Sequence, residues 1–430
     1  MEEGAIRELL QSVIGKSVAD NVEVYWNEFT ENSTRFANNG ITQNVSKSEI
    51  TLSVKVAFGN HVGMVRTTTL EEEGLRDAVA RAEALAKASD PDTEYMPPPE
   101  PQSYPDVKDY DDRTANATPQ DRANIVRKVI ERSEAAGVQA AGSTSSGHSA
   151  YAVSNNKGLF ATHRSSSSHL VVTAMTPTSS GWAAAESHKL VDGETERVVQ
   201  RAIGKAQLAQ DPKPYDPRPV TVILEPSALA ELLSFFGYSL DAKAADEGRS
   251  SMSGKLDTRL GADFLHISSQ PAHPEAPGSP FFHDGMAVPT VNWIEGGVLR
   301  NLSTSRFWAQ KTSRPFTGHP TNLIMHGDSK TLDDLIASTA DGLLITRFWY
   351  IRFVDPMKML LTGMTRDGLY EIKDGKIVGG VKNLRFNDSP LRLFQHLVEM
   401  GVPERASGYP PAMVPPVKAE EFTFTSATQF

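Results

Sequence analysis

The sequence predicts an α+β fold, in which a duplicated helix–strands–helix (α/β) region over residues 1–212 precedes a mostly antiparallel β region with a few helices over residues 213–430. Three observations carry the prediction. Apolar residues recur at a period of two in some stretches and near 3.6 in others, the marks of strands and helices on one chain. Two proline-dense stretches punctuate it, residues 96–105 with five prolines and 212–219 with four. Finally, the turn glycines Gly40 and Gly158 lie 118 residues apart, and the helix-ending pairs Asp90-Pro91 and Asp211-Pro212 lie 121 apart, a near-constant offset that reads as repeats over 1–95 and 115–212.

The first element is a helix over residues 5–14, because Ile6, Leu9, Leu10 and Val13 share one face. Strand-like runs follow at 22–26, 33–37, 41–45 and 50–58, the last with Leu52, Val54 and Val56 alternating inward. Asn38-Asn39-Gly40 is a hairpin turn, since Asn and Gly tolerate positive φ. Thr69 is expected to cap the next helix, with Glu72 completing a capping box and Leu75, Val79, Ala82 and Leu85 facing inward. After the proline-rich crossover the plan recurs. Thr118-Pro119 opens a helix with Ile125, Val126, Val129 and Ile130 on its inner face, strands at 139–143 and 151–154 reach the turn Asn155-Asn156-Lys157-Gly158, and strands at 159–162 and 170–175 lead to a helix from about Glu194.

The second region opens on Val220-Thr221-Val222-Ile223-Leu224, dense enough in apolar residues to be a buried strand. It runs straight into a helix: Pro226 suits the first helical position, and Leu229, Leu232, Leu233 and Phe236 fall on one face. The remainder is mostly strand, at 264–267, 291–294 and 343–350, with a type I′ hairpin at Asp374-Gly375. Short helices are expected at 332–338, capped by Thr331, and at 391–400, started by Ser389-Pro390 and stopped by Gly401. The alternating Phe422-Thr423-Phe424-Thr425 is expected to add one edge strand.

Composition excludes several classes of function. With 43 basic against 53 acidic side chains the chain carries a formal charge of −10, which disfavours binding to phosphate backbones, and it has no zinc-finger spacing or basic helix, so no nucleic-acid partner is expected. No apolar run approaches membrane-spanning length and the start, Met1-Glu2-Glu3-Gly4, is acidic where a secretory signal would be basic; no membrane partner is expected, and the expected compartment is the cytoplasm. The absence of cysteine excludes disulfides and thiolate nucleophiles. Walker, Rossmann and Gly-x-Ser-x-Gly patterns are also missing.

From the strand–helix junction onward the chain resembles the TldD/PmbA (TldE) family of peptidase proteins. The resemblance rests on an ordered series: Leu224-Glu225-Pro226, Gly248-Arg249-Ser250 with Gly254-Lys255-Leu256, Asp284-Gly285-Met286-Ala287-Val288-Pro289, Ile294-Glu295-Gly296-Gly297-Val298-Leu299, Pro320-Thr321-Asn322-Leu323, Gly342-Leu343-Leu344-Ile345-Thr346, and Gly375-Lys376-Ile377 followed by Val381-Lys382-Asn383. The metal-bearing branch of that family opens the helix with His-Glu-x-x-x-His and adds a cysteine near the C-terminus. Here Glu225, Pro226 and Ala230 stand at the three motif positions, and there is no cysteine. The resemblance is therefore to the metal-free TldE/PmbA-like branch. It implies a subunit without zinc or other cofactor that pairs with a zinc-bearing TldD-like metallopeptidase subunit to cleave unfolded or leader-bearing peptides, a homodimer being a further possibility. The family's older label as a gyrase modulator gains no support from these residues.

The resemblance also implies that the loop Thr317-Gly318-His319-Pro320-Thr321-Asn322 lies near a cleft between subunits, which makes Gly318, His319, Thr321 and Asn322 candidates for a peptide groove or interface. Arg249 is a further candidate, its guanidinium aimed at a peptide carboxylate, a neighbouring subunit or a structural ion pair. His266, His273, Glu275, His283 and Asp284 have metal-ligating atoms, but their loose, proline-broken spacing favours a solvated loop. The segment from His163 to His169 holds four serines between two imidazoles, yet without an elbow or an orienting carboxylate it reads as a polar loop. Phe348-Trp349-Tyr350 fits core or interface packing. Two other readings compete with the subunit: a self-sufficient hydrolase using the 266–284 cluster, and a non-catalytic peptide-binding homo-oligomer.

Overall fold

The structure is a computed structural model and describes residues 1–428. The first region contains α1 (Glu3–Ile14), β1 (Asn21–Ala37), β2 (Gly40–Phe58), β3 (His61–Thr67) and α2 (Glu72–Ala88), then, after an extended crossover and the short α3 (Asp112–Ala115), α4 (Pro119–Ala135), β4 (Gln139–Asn155), β5 (Phe160–Met175), β6 (Ser180–Ser187) and α5 (Thr195–Leu208). The same helix–three-strand–helix order thus occurs twice. The strands form one antiparallel sheet in the order β3-β2-β1-β4-β5-β6, in which the first strands of the two units, β1 and β4, lie side by side along their length. The Asn38-Asn39 and Asn156–Gly158 turns each join the first and second strands of a unit.

Helices cover only one face of this sheet. Val22, Val24 and Trp26 of β1 pack with Leu10, Leu75 and Val79 from α1 and α2, while Phe36, at the far end of the same strand and on the same face, packs with Ile125, Val126 and Val199 from α4 and α5. Between these patches the face is polar, with Glu28, Thr30 and Asn32 half-buried. That gap explains one departure from the sequence reading. The runs at 22–26 and 33–37 are one strand, as are 41–45 with 50–58, 139–143 with 151–154, and 159–162 with 170–175, because mid-strand residues without an apolar neighbour show no alternation. The segment from His163 to His169 is accordingly not a loop but the middle of β5. Thr69 does not cap α2, which starts at Glu72 after an uncapped Glu71, and Leu85 is 51% exposed, its expected inner place being taken by Ala78 and Ala86.

The second region holds β7 (Pro219–Leu224), α6 (Pro226–Tyr238), α7 (Ala242–Asp246), β8 (Ile267–Ser269), β9 (Val291–Glu295), β10 (Val298–Leu299), α8 (Arg306–Thr312), β11 (Leu323–Met325), α9 (Leu332–Ala337), β12 (Asp341–Asp355), β13 (Leu360–Lys373), β14 (Lys376–Gly380), β15 (Leu384–Asp388), α10 (Pro390–Gln395), β16 (Leu397–Met400), β17 (Glu404–Ala406), β18 (Ala412–Val414) and β19 (Val417–Ala427). Five strands close on themselves: β12 pairs with β7, β7 with β19, β19 with β15, β15 with β13, and β13 returns to β12. A second, six-stranded sheet runs β10-β9-β8-β11-β18-β17. Leu229, Leu232, Leu233 and Phe236 of α6 fill the core shared by the ring and this sheet. Two expectations are corrected here. The segment around Phe422 to Thr425 is no edge strand, since β19 lies between β7 and β15, and the expected helix over 391–400 ends at Gln395, after which residues 397–400 pair with β19.

Candidate functional site

The junction between β7 and α6 places Glu225. Its backbone N–H donates to the Ile345 carbonyl (3.0 Å), extending the parallel pairing with β12, and Pro226 then starts the helix. The side chain, 3% exposed, points at the last turns of α5. Arg201 Nη2 and Lys205 Nζ, one helical turn apart, donate to Glu225 Oε2 at 2.7 and 2.8 Å, and Thr346 Oγ1 donates to Oε1 at 3.1 Å. Arg201 also reaches Glu404 (3.1 Å). Burial would push the Glu225 carboxyl up, but Lys205 and Arg201 together hold it below its ordinary range. Burial brings Lys205 down to about 8 against the pull of Glu225, so both members are charged at neutral pH. The crevice beside them is only about 30 Å³, room for a water and not for a peptide side chain.

A larger groove, about 410 Å³, opens at the other end of α6. Tyr238, 82% exposed, and Tyr409, 86% exposed, flank it, and His319, Pro320 and Pro410 line it. His319 is the one peptide-contact candidate that reaches this groove. Its imidazole lies against Phe282 (centroids 5.1 Å apart), and burial keeps it below the ordinary histidine range, hence neutral at pH 7. Gly318 is a scaffold: at φ 63° a Cβ there would sit 2.0 Å from the Phe282 ring. Thr321 is half-buried. Asn322 is fully buried and saturated, donating to the Gln270 and Ala276 carbonyls (2.6 Å each) and accepting from the Gln270 N–H (2.8 Å), so its amide cannot touch a peptide. Arg249 is on a separate exposed loop, paired with Glu247, and does not line the groove.

The 266–284 cluster is dispersed by the fold. His266 stacks near His326 (5.7 Å), and His273 accepts from the Glu275 and Ala276 N–H groups in its own turn. His283 stacks on Tyr25 at 4.2 Å and bonds Tyr151 Oη through Nδ1 at 2.6 Å, while Asp284 pairs with Arg306. His283 therefore stacks on the helix-free face of the first sheet while staying exposed to solvent, and Asp284 is held by Arg306. In β5 the structure supplies a carboxylate that sequence reasoning missed, with Asp109 Oδ1 3.0 Å from His163 Nε2. No triad results, because Ser165 Oγ pairs with Ser149 Oγ (2.8 Å). Of the aromatic run, Phe348 is core, whereas Trp349 and Tyr350 are exposed beneath Arg366 and Arg352.

Residues 217–426 match the family model described as the PmbA/TldA metallopeptidase C-terminal domain, and residues 22–86 match PmbA/TldA metallopeptidase domain 1. The chain belongs to the PmbA/TldD family. Three solved structures share its fold: TldE from Thermococcus kodakarensis (17% identity, TM-score 0.88, covering 98% of this chain and all of that one), and two proteins described as proposed modulators of DNA gyrase, from Thermotoga maritima (19%, 0.87, 98% and all) and Bacteroides thetaiotaomicron (19%, 0.88, 99% and all). A search of the curated proteins finds no match.

A PmbA/TldD metallopeptidase implies a metal, and the donor set at the α6 start does not fit one. Of Glu225, Pro226 and Ala230, the positions the resemblance implies for the metal motif, only Glu225 has a ligating side chain, and its oxygens already accept from two cations and a hydroxyl. Pro226 and Ala230 offer no lone pair. A divalent ion placed there would also face Arg201 and Lys205 within hydrogen-bond reach of its only carboxylate. Among the described residues, no group of three or more His, Cys, Asp or Glu side chains is placed to hold a metal. Sequence reasoning missed Arg201 and Lys205, whose only mark is a basic pair four residues apart bordering the apolar face of α5.

Proposed function

We propose that this chain is the metal-free, TldE/PmbA-like subunit of a TldD/TldE-type zinc metallopeptidase complex, acting in the cytoplasm on unfolded or leader-bearing peptides. The zinc and the base that activates water belong to a TldD-like partner. This chain contributes groove walls. One observation carries the reading: at the start of α6, where the resemblance would place the metal motif, two cations and a buried carboxylate form an ion-pair cluster that leaves neither carboxylate oxygen free for a metal. The open groove between Tyr238 and Tyr409 suits an extended peptide, since the rings offer rigid contact area and His319 a neutral donor or acceptor. Contact with DNA forms no part of the proposal, because the chain is acidic.

Expression with and without a TldD-like subunit, read for association, zinc content and cleavage of an unfolded peptide, tests the reading. The chain alone should be inactive and bind no stoichiometric zinc at the α6 start, and the mixed species should cleave. Chelator-resistant proteolysis by the isolated chain would sink it. Peptide binding by the isolated chain, with no gain of cleavage on adding the partner, would favour the non-catalytic homo-oligomer instead.

A further inference from the structure

The outer face of the ring carries a feature that neither the core nor the groove beside α6 explains. Phe348 points into the core, so in an unbroken strand Trp349 would point out and Tyr350 in again. Tyr350 does not. The pairing of β12 with β13 skips between Trp349 and Arg352, Tyr350 adopts φ 59°, and its ring lies beside that of Trp349, centroids 5.5 Å apart. A left-handed backbone is costly for a bulky side chain and persists only where the surroundings impose it. Burial does not impose it, since the two rings are 42% and 60% exposed. Each ring instead carries a guanidinium on its face, Arg366 over Trp349 at 4.0 Å and Arg352 over Tyr350 at 4.4 Å.

We propose that this paired arginine–aromatic surface binds an extended acidic segment of another protein, two of whose carboxylates sit on Arg366 and Arg352. Arg347 stands opposite Arg366 on the neighbouring strand, and Arg385 stands opposite Met364, so four arginines gather on one face of a chain whose formal charge is −10. Arg347 and Arg366 share Asp367, whereas Arg352 and Arg385 have no carboxylate partner among the described residues. A guanidinium lying flat on a ring keeps its N–H edge free, so it can take a carboxylate in its own plane while stacked, and stacking has already fixed its rotamer. Rings 5.5 Å apart suit carboxylates on alternate residues of a strand, about 6–7 Å apart along the chain. A groove of about 490 Å³ beside Trp349 and Met364 has room for an apolar side chain that follows them. A long polyanion such as DNA would be repelled by the rest of this acidic chain, while a short acidic segment meets only this face.

The test uses the full chain alone and needs neither zinc nor a metal-bearing partner, so its failure leaves the subunit reading standing. A fluorescently labelled decapeptide alternating glutamate and threonine should bind at low salt, with an anisotropy change that peptides carrying glutamine or lysine in place of glutamate do not give, and binding should weaken as salt rises. Arg352→Gln and Arg366→Gln should each weaken it about fivefold or more, and Arg352→Lys should keep only part of the affinity, because a point charge does not bond as a planar fork. Tyr350→Gly separates the surface from the fold: glycine suits φ 59°, so the melting temperature should hold or rise while peptide affinity falls about fivefold. No binding of the acidic peptide, an affinity indifferent to Arg352 and Tyr350, or tighter binding of a ten-nucleotide single-stranded DNA would overturn the proposal.

Discussion

Removing the Glu225 carboxylate should be felt in stability. Glu225→Ala leaves the largely buried Lys205 without its carboxylate, whereas the partly exposed Arg201 keeps Glu404, so the loss should lie below the roughly 3–5 kcal/mol of a fully buried broken pair, at about 1–3 kcal/mol. Urea unfolding should show a loss of that size; a loss within that of an ordinary surface substitution would mean that the cluster is solvated. Asn322→Ala strands the Gln270 N–H and two carbonyls, at about 1–3 kcal/mol for each group that water cannot reach, so any fall in turnover should follow the fall in melting temperature. His319→Ala, by contrast, should weaken peptide turnover by the mixed complex about tenfold or less without moving the melt, as the loss of one groove contact does. The sequence placed Glu225 and Pro226 at the start of α6, where the structure has them. It hid the cations around Glu225 because they arrive from α5, an element of the other region, and it could not separate buried Asn322 from groove-lining His319 within one loop.

The second turn of α6 is tied to β12 by Glu231, which accepts the Phe348 N–H at 2.8 Å. Burial raises this carboxyl from 4.5 to about 7, and Arg347 and the Phe348 amide offset only part of the rise. Because the folded value exceeds the unfolded one, the stabilising contribution is complete below about 4.5 and is lost as pH rises through about 7. Glu231→Gln keeps the acceptor and removes the titration, so its urea midpoint should fall less than that of the parent between pH 5 and 8. Equal slopes would show that Glu231 is already ionised in the acidic buffer. At this scale local chemistry was readable only in part: Thr331 caps α9 and Thr118-Pro119 opens α4 as expected, but the Thr69–Glu72 box does not form. Thr118 with Asp121 and Thr331 with Asp334 form capping boxes, and Asn38-Asn39 and Asp374-Gly375 adopt the positive φ of tight turns. Where remote pairing decides, the reading failed: residues 397–400 have helical spacing after α10, yet β19 recruits them as a strand, helped by Lys418 on Glu399 (2.8 Å).

For the whole molecule, the repeated order of elements was legible because its turns and stops recur at a fixed spacing, whereas the closure of the ring was not, since no local pattern records which strands meet. The regions are held together by more than the Glu225 cluster. Arg405 pairs with Glu186, Ser407 bonds His169 Nε2 at 3.0 Å, and Ser180 bonds Asp367 at 2.9 Å. The crossover before α3 lacks helix and strand but is pinned by Asn155 to the Pro99 carbonyl, by Tyr104 to the Gly285 carbonyl and by Ser166 to Asp109. Native-state digestion should therefore spare the crossover from residue 96 through Asp109, even at Lys108, whose side chain is exposed. Rapid cutting within it would show that these anchors are open much of the time.

The place of β19 between β7 and β15 carries a consequence for synthesis on the ribosome. The strand that completes the ring is made last of the five, so a nascent chain arrested before Val417 presents β7 and β15 with bare inward edges and an unfilled core. Such a chain has no smaller barrel to retreat to. Truncation just before Val417 should yield aggregate or a chaperone-bound product, and folding of this region should begin only once residue 427 has cleared the exit tunnel.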